Sequence, residues 1–370
     1  MRELPQRLVN YAAATRLKWQ LARRTSSDTS PASASEIAQL VEHQMQYWLQ
    51  ADFDRAALHE QFKLANEKFF SIAVFEAKEK KLSLWEKPSD VVPRHAGAVR
   101  DLQIRTFNNR KALYGVFLQA ALAKYDIDTH MIFAVDVNDI GREVMDFPLF
   151  SFQKKIGSRN ILLPDVDFFH WHWYAGIADT LSYEHKKIAA CFVGSSTGGR
   201  VTESKLASST LPRLRAAAYF VGNPNVDFRI ARAVQYDTER TKSLLEQQPF
   251  FSMPMKWPEQ FAYRFLLSMD GNGAACSRLA VALKSNSVLV KFDSPYVLYY
   301  FSAMKPGRDY IAVSAEPDVE QIIDEELRTP GRFSAIAEGG KSFFARFLSK
   351  DSVLLYTGAL LRNYARMYAG

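Results

Sequence analysis

The chain has 370 residues, 48% hydrophobic, 24% charged and 13% aromatic, a composition that excludes a disordered or fibrous protein and suits about two domains. Lys and Arg outnumber Asp and Glu by 47 to 40, a surplus that suits nucleotides or anionic surfaces and is too small to indicate nucleic acid. Two cysteines, Cys191 and Cys276, exclude a disulfide framework and read as small buried hydrophobes in a reducing compartment.

Residues 1–35 stand apart. Arg2, Arg7, Arg16, Lys18, Arg23 and Arg24 face only Glu3 and Asp28, and a Ser/Thr/Pro/Ala-rich linker follows from Thr25 to Ser35. Leu4, Leu8 and Tyr11 fall at helical spacing, so a short basic amphipathic helix is predicted. Two readings stay open: a membrane-surface anchor, or a helix packed on the domain. The segment lacks the apolar run of a secretory leader, and no stretch of the chain has the length and apolarity of a membrane span. A soluble, cytoplasmic protein, peripheral at the inner membrane surface if the basic helix docks, is the expectation.

Residues 36–70 are predicted helical from Ile37, Leu40, Val41, Met45 and Leu49. Ile72–Phe75 and Leu82–Trp85 bracket Lys78-Glu79-Lys80-Lys81 as a hairpin. A helix over 110–125 precedes the apolar strand Met131–Val135, which ends in Asp136. Open α/β sheets place their chemistry at such carboxyl ends. Downstream the pattern alternates: a strand over 188–192, a strand over 263–267, a tight loop over 270–273, a helix over 274–284 and a strand over 287–292. A helix over 296–303, a strand over 310–313 and a helix over 319–327 complete it. That alternation predicts βαβ units, a parallel sheet and two α/β domains split near residue 185.

Asp270-Gly271-Asn272-Gly273 before a helix is a candidate phosphate cradle. Glycine lets backbone approach closely, and the helix N-terminus favours an anion. Arg278 on the same helix is placed to meet a diphosphate with two donors. The spacing matches neither a Walker A motif nor a GxGxxG fingerprint, and a plain tight turn stays open at this point.

The block Phe265–Leu279, with Ser287–Lys291, Phe301 and Lys305–Val313, resembles glycosyltransferase family 90, which includes protein O-glucosyltransferases, capsule-associated xylosyltransferases and lipopolysaccharide-modifying enzymes. The resemblance runs from about residue 125 to 368 through Ile132–Asp136, Phe150–Phe152, Leu163-Pro164, Phe192–Ser195, Ala337–Gly340 and the C-terminal segment. It implies a GT-B architecture: two Rossmann-like domains facing a cleft, with an N-terminal helical extension and a C-terminal helix. The segments expected are 1–35 (basic extension and linker), 36–185 (acceptor side), 186–345 (nucleotide-sugar binding) and 346–370 (helix). It further implies a UDP-sugar donor, inversion at the anomeric carbon and no metal or other cofactor.

The family's catalytic base lands on Asp136 and its helix arginine on Arg278, which the architecture would set across the cleft from each other. Donor contacts are expected from Asp270, Gly271, Asn272, Gly273, Ala274, Ala275 and Ser277. Gly194, Ser195 and Arg200, in the loop after the 188–192 strand, are expected to add to them. Two positions depart from the family pattern: Val193 stands where an arginine is usual, and Asp309 where a histidine is usual.

On the acceptor side the candidates are Asp139 and the string His170-Trp171-His172-Trp173, whose indoles suit stacking on sugar faces. An ordinary buried aromatic cluster stays open for that string. Asp165-Val166-Asp167 matches the Asp-x-Asp of metal-dependent transferases, but chance and a loop position favour a structural role. The expected function is an inverting, metal-independent transfer of a hexose or pentose from a UDP-sugar to a hydroxyl of a lipopolysaccharide or capsule-type glycan, with no nucleic acid partner. A catalytically decayed nucleotide-sugar-binding protein and a protein O-glycosyltransferase are the alternatives.

Overall fold

The computed structural model describes residues 6–23, 31–51, 70–85, 98–125, 127–139, 147–274 and 276–369. Leu4, most of the 25–35 linker, the second half of the expected 36–70 helix and Ala275 lie outside the described residues. The chain divides into two units. The first takes residues 1–173, 297–302 and 349–370, and the second takes 174–296 and 303–348. The first division falls ahead of residue 185, and the C-terminal helix returns to the first unit. No described helix is long and apolar enough to cross a membrane.

In the first unit β1 (Phe70–Glu76) and β2 (Lys81–Trp85) form the expected hairpin. β3 (Met131–Asp136) runs antiparallel to β1, while β4 (Leu149–Ser151) and β6 (Ile161–Leu162) continue parallel to β3; β5 (Lys154–Lys155) lies outside this sheet. The order is β2-β1-β3-β4-β6, so the sheet is mixed, antiparallel through the expected hairpin and parallel from β3 to β6. The hairpin is the cause, because a four-residue turn can only reverse the chain.

Helix Ala34–Gln50 starts on a capping box. The Ser33 N–H donates to Glu36 Oε2 at 2.9 Å, and the Glu36 N–H donates to Ser33 Oγ at 3.3 Å. Helix Lys350–Ala369 packs against this helix and against helix Ala98–Lys124. Its tyrosines sew it to the sheet: Tyr356 Oη donates to Leu162 O at 2.7 Å and Tyr364 Oη to Ile132 O at 2.8 Å. Residues 296–297 form a short strand and 299–303 turns, which corrects the helix expected over 296–303. Leu298, Tyr299 and Tyr300 are buried, and Tyr299 stacks on Tyr356 at 4.4 Å, so tertiary packing produced the apolar spacing that reads as a helical face.

The second unit holds a five-stranded sheet, parallel throughout, in the order β12-β10-β9-β7-β8. Its strands are β7 (Lys187–Ser195), β8 (Val226–Arg232), β9 (Tyr263–Ser268), β10 (Val288–Phe292) and β12 (Ile311–Val313); β11 (Tyr296–Val297) is a short strand apart from it. The interior of β7 and all of β9 after Tyr263 are buried, as expected for strands covered on both faces. Cys191 is buried on β7, and burial pushes its thiol up to about 12. Ala337-Glu338-Gly339-Gly340 lies in helix Ser334–Phe343, where a Cβ on Gly339 would overlap the Arg308 carbonyl, so this glycine serves close packing.

Two buried ion pairs fix the unit. Lys186 donates to Asp179 at 2.7 Å, and Arg264 pairs with Glu326, which also accepts the Gly331 N–H at 2.8 Å and the Phe333 N–H at 3.2 Å. Glu326→Ala strands a buried guanidinium and two amides, and is expected to destabilise the second unit by about 3–5 kcal/mol in urea unfolding.

Candidate functional site

Because the second sheet is parallel, β7, β9 and β10 deliver their carboxyl ends to one edge. Three loops gather there: Ser195–Arg200 after β7, Met269–Gly273 after β9, and Asp293–Pro295 after β10. The first two loops abut. Gly198 (φ +115°) sits so close to Gly271 that a Cβ on it would lie 3.5 Å from the Gly271 carbonyl oxygen. A Cβ on Gly271 would meet Thr197 Oγ1 at 2.5 Å and Arg213 Nη2 at 3.0 Å.

What holds the loops together is Arg213, a residue that carries no signal in the sequence. It sits in the first turn of helix Pro212–Tyr219, is 8% exposed, and reaches both loops. Nη1 donates to Ser195 O at 3.0 Å and Thr197 Oγ1 at 2.7 Å; Nε donates to Asp270 O at 2.9 Å and Nη2 to Met269 O at 2.9 Å. Burial, with Arg278 nearby, brings its guanidinium down to about 10, still cationic at neutral pH. The planar fork serves four acceptors on two loops, one more than the three N–H donors of an ammonium could reach. Leu211-Pro212-Arg213 matches no motif, and its partners lie up to 57 residues away.

Asp270 is bonded through its carboxylate to Ser294 Oγ. Burial raises its pKa against the opposing influence of Ser294, Lys291 and Arg213. Burial lowers the pKa of Lys291, at the end of β10, which feels the Asp270 charge. The Gly271 N–H is turned back to Gly273 O at 3.1 Å, which curls the loop and commits that amide internally. Asn272 is half-buried, and Gly273 and Ala274 are buried.

Ser277 and Arg278 occupy the first turn of helix Cys276–Lys284. Arg278 lies beneath the β7 loop: its Nη2 donates to Val193 O, Nη1 to Gln260 Oε1 at 3.2 Å, and its guanidinium lies 4.7 Å from the Phe192 ring and 5.2 Å from Trp257. Burial brings it down to about 10. Gly194 and Ser195 end β7, with Ser195 carrying one of the carbonyls that Arg213 binds; Arg200 is exposed. Asp309 is buried and holds its own loop, accepting the Lys305 N–H at 2.8 Å and pairing with Arg308 at 2.6 Å.

In the first unit Asp136 ends β3, is 1% exposed, and accepts the Asn138 N–H at 2.9 Å. Arg110 organises the segment after it, donating to Val137 O at 2.8 Å and to Asp139 at 2.7 Å. Burial works against the Arg110 charge, but Asp139, with Asp165 and Asp167, raises its pKa overall. Asp165 accepts the Asp167 N–H at 2.9 Å at the start of the short helix Asp167–His170, so Asp165-Val166-Asp167 forms a helix-start turn. No group of three His, Cys, Asp or Glu side chains placed to hold a metal ion occurs among the described residues.

Partial desolvation lowers the His170 pKa, opposed by Asp167 and reinforced by Arg110 and His172. Trp171 is 50% exposed, but Trp173 is 7% exposed and packs on Phe169 at 6.0 Å. The expected pair of stacking indoles is therefore split. His172, Trp173 and Tyr174 take left-handed φ values of 52°, 53° and 57°, and this reversal turns the second indole inward.

The second unit thus joins two glycine loops on one buried guanidinium at the carboxyl edge of a parallel sheet, the edge at which open α/β sheets place their ligands. The family model for glycosyl transferase family 90 matches residues 128–369, and the chain belongs to that family. Protein O-glucosyltransferase 2 of Danio rerio is 30% identical over 108 residues, covering 29% of this chain and 21% of that protein, so the match spans about a fifth of the relative. The crystal structure of TarM aligns over 52% of this chain and 37% of that one at 14% identity, with a TM-score of 0.30, too slight a likeness to bear on the arrangement of the units.

Gly271→Ala places a Cβ 2.5 Å from Thr197 Oγ1 and 3.0 Å from Arg213 Nη2, so the two side chains that join the loops must shift. The variant is expected to destabilise the second unit by about 1–3 kcal/mol, read as a lowered urea midpoint.

Proposed function

We propose that this family 90 glycosyltransferase is an inverting, metal-independent enzyme that moves a hexose or pentose from a UDP-sugar to a hydroxyl of a surface-polysaccharide glycan. The observation that carries this reading is the pair of loops locked edge to edge by Arg213. A leaving UDP needs fixed positive charge and oriented donors, and a cradle built before the donor arrives costs little reorganisation. Arg213, Arg278 and Lys291 supply cationic charge around those loops.

Asp136 takes the base role. The acceptor O–H gives its proton to the carboxylate, the oxygen attacks the anomeric carbon from the face opposite UDP, and the bond to the β-phosphate oxygen breaks with its electron pair leaving on UDP. Burial at the end of a rigid strand and the bond from Asn138 fix the carboxylate's orientation. Trp171, the exposed indole, is the side chain offered to a sugar face.

UDP release measured across a panel of UDP-sugars in EDTA tests the reading, with NMR of the product giving the anomeric outcome. Turnover of one donor with inverted configuration is expected; retention, or turnover of no donor with UDP still bound, contradicts it. A protein hydroxyl as acceptor is the second reading, favoured by the name of the Danio rerio relative. The same release assay with folded protein acceptors in place of glycans separates the two.

A further inference from the structure

Helix Gln6–Ala22 contains no acidic residue, and its described part carries Arg16 and Lys18, with Arg23 just beyond its end. It is held in one orientation. Leu17 is buried at 1% exposure, the helix packs along helix Ala98–Lys124, and Lys350 Nζ caps its C-terminus by donating to Gln20 O at 3.1 Å and to Arg23 O. Buried Leu17 faces inward, whereas Tyr11 was expected to share an apolar face with Leu4 and Leu8.

Tyr11 instead points outward. It is 72% exposed and Trp19 60% exposed. Tyr11, Thr15, Lys18, Trp19 and Ala22 are all exposed and form one stripe at helical spacing. Arg23 lies over the Trp19 ring at 3.5 Å, placing a cation directly beside the indole. Arg16, exposed on the flank of that stripe, helps lower the pKa of His172 after burial, so this flank borders the segment that presents Trp171.

We infer that the exposed face of helix Gln6–Ala22 docks on an anionic lipid surface. Trp19 and Tyr11 sit at headgroup level, where amphipathic rings are favoured, and Arg16, Lys18 and Arg23 meet the phosphates. The helix is pinned before it binds, so docking costs little ordering of the chain. The inference rests on the transferase reading only for what the surface delivers, an amphiphilic acceptor brought to the acceptor-side residues.

The test is co-sedimentation of the full chain with vesicles of phosphatidylcholine alone or mixed with phosphatidylglycerol, without donor or acceptor, so it fails or succeeds independently of transfer. Binding to the anionic vesicles, and not to the zwitterionic ones, is expected. With each cation near the surface contributing a factor of about five, Arg16→Gln with Lys18→Gln weakens binding roughly 25-fold. Trp19→Ser weakens it further, with circular dichroism unchanged because all three side chains are exposed. Equal binding to both vesicles, no binding, or variants that sediment like the wild type overturn the inference.

Discussion

Arg213→Ala is expected to weaken UDP binding about 100-fold, or roughly 2.7 kcal/mol, while leaving the strands of the second unit folded. The loss does not come from a single contact. The guanidinium satisfies Ser195 O, Met269 O, Asp270 O and Thr197 Oγ1 at once, so its removal releases both loops and strips cationic charge from beside them. Hydrogen bonds to a charged donor are each worth roughly 1.5–3 kcal/mol, and water replaces only part of that network. Arg213→Lys keeps the charge and loses the fork, so it restores little of the affinity. Arg213 acts as a positioning residue, which the kinetics distinguish from a general stability defect. Donor KM should rise while acceptor KM holds, a split that a general stability defect does not produce.

Asp136→Asn is expected to lower kcat by about 10³-fold or more, within the range for losing a general base, while UDP affinity stays within about two-fold of wild type. The amide keeps the shape of the carboxylate, and its oxygen can still accept the Asn138 N–H, so β3 and the segment after it keep their conformation. What disappears, in the proposed role, is the capacity to take the acceptor's proton. The expected signature is a kcat loss with unchanged donor binding, the reverse of the Arg213 pattern. A variant that transferred sugar at the wild-type rate would remove Asp136 from the base role.

Much of this was legible in the sequence because the information is local. Met131–Asp136 is an apolar run closed by a carboxylate, and Asp270-Gly271-Asn272-Gly273 joins a strand to a helix; both elements stand where these patterns put them. Arg213 was illegible, since its partners come from loops 16 to 57 residues away and none shares a motif with it. The segment around Tyr299 misled for the same reason: its aromatic spacing answers to Tyr356, on a helix that returns to the first unit. Trp171 and Trp173 look equivalent in the string, and only the left-handed turn at 172–174 separates an exposed indole from a core one. Arg110 was likewise missed, although it orders the residues that follow Asp136. Side chains that join distant loops leave no periodic trace, whereas strands, caps and glycine turns do.

The most direct test of the central claim is calorimetric titration of the full chain with UDP in the presence of EDTA. Micromolar binding without any divalent ion is expected, weakened about 100-fold in Arg213→Ala and retained in Asp136→Asn. Binding that appears only when a divalent ion is added, or no binding at all, would contradict that claim.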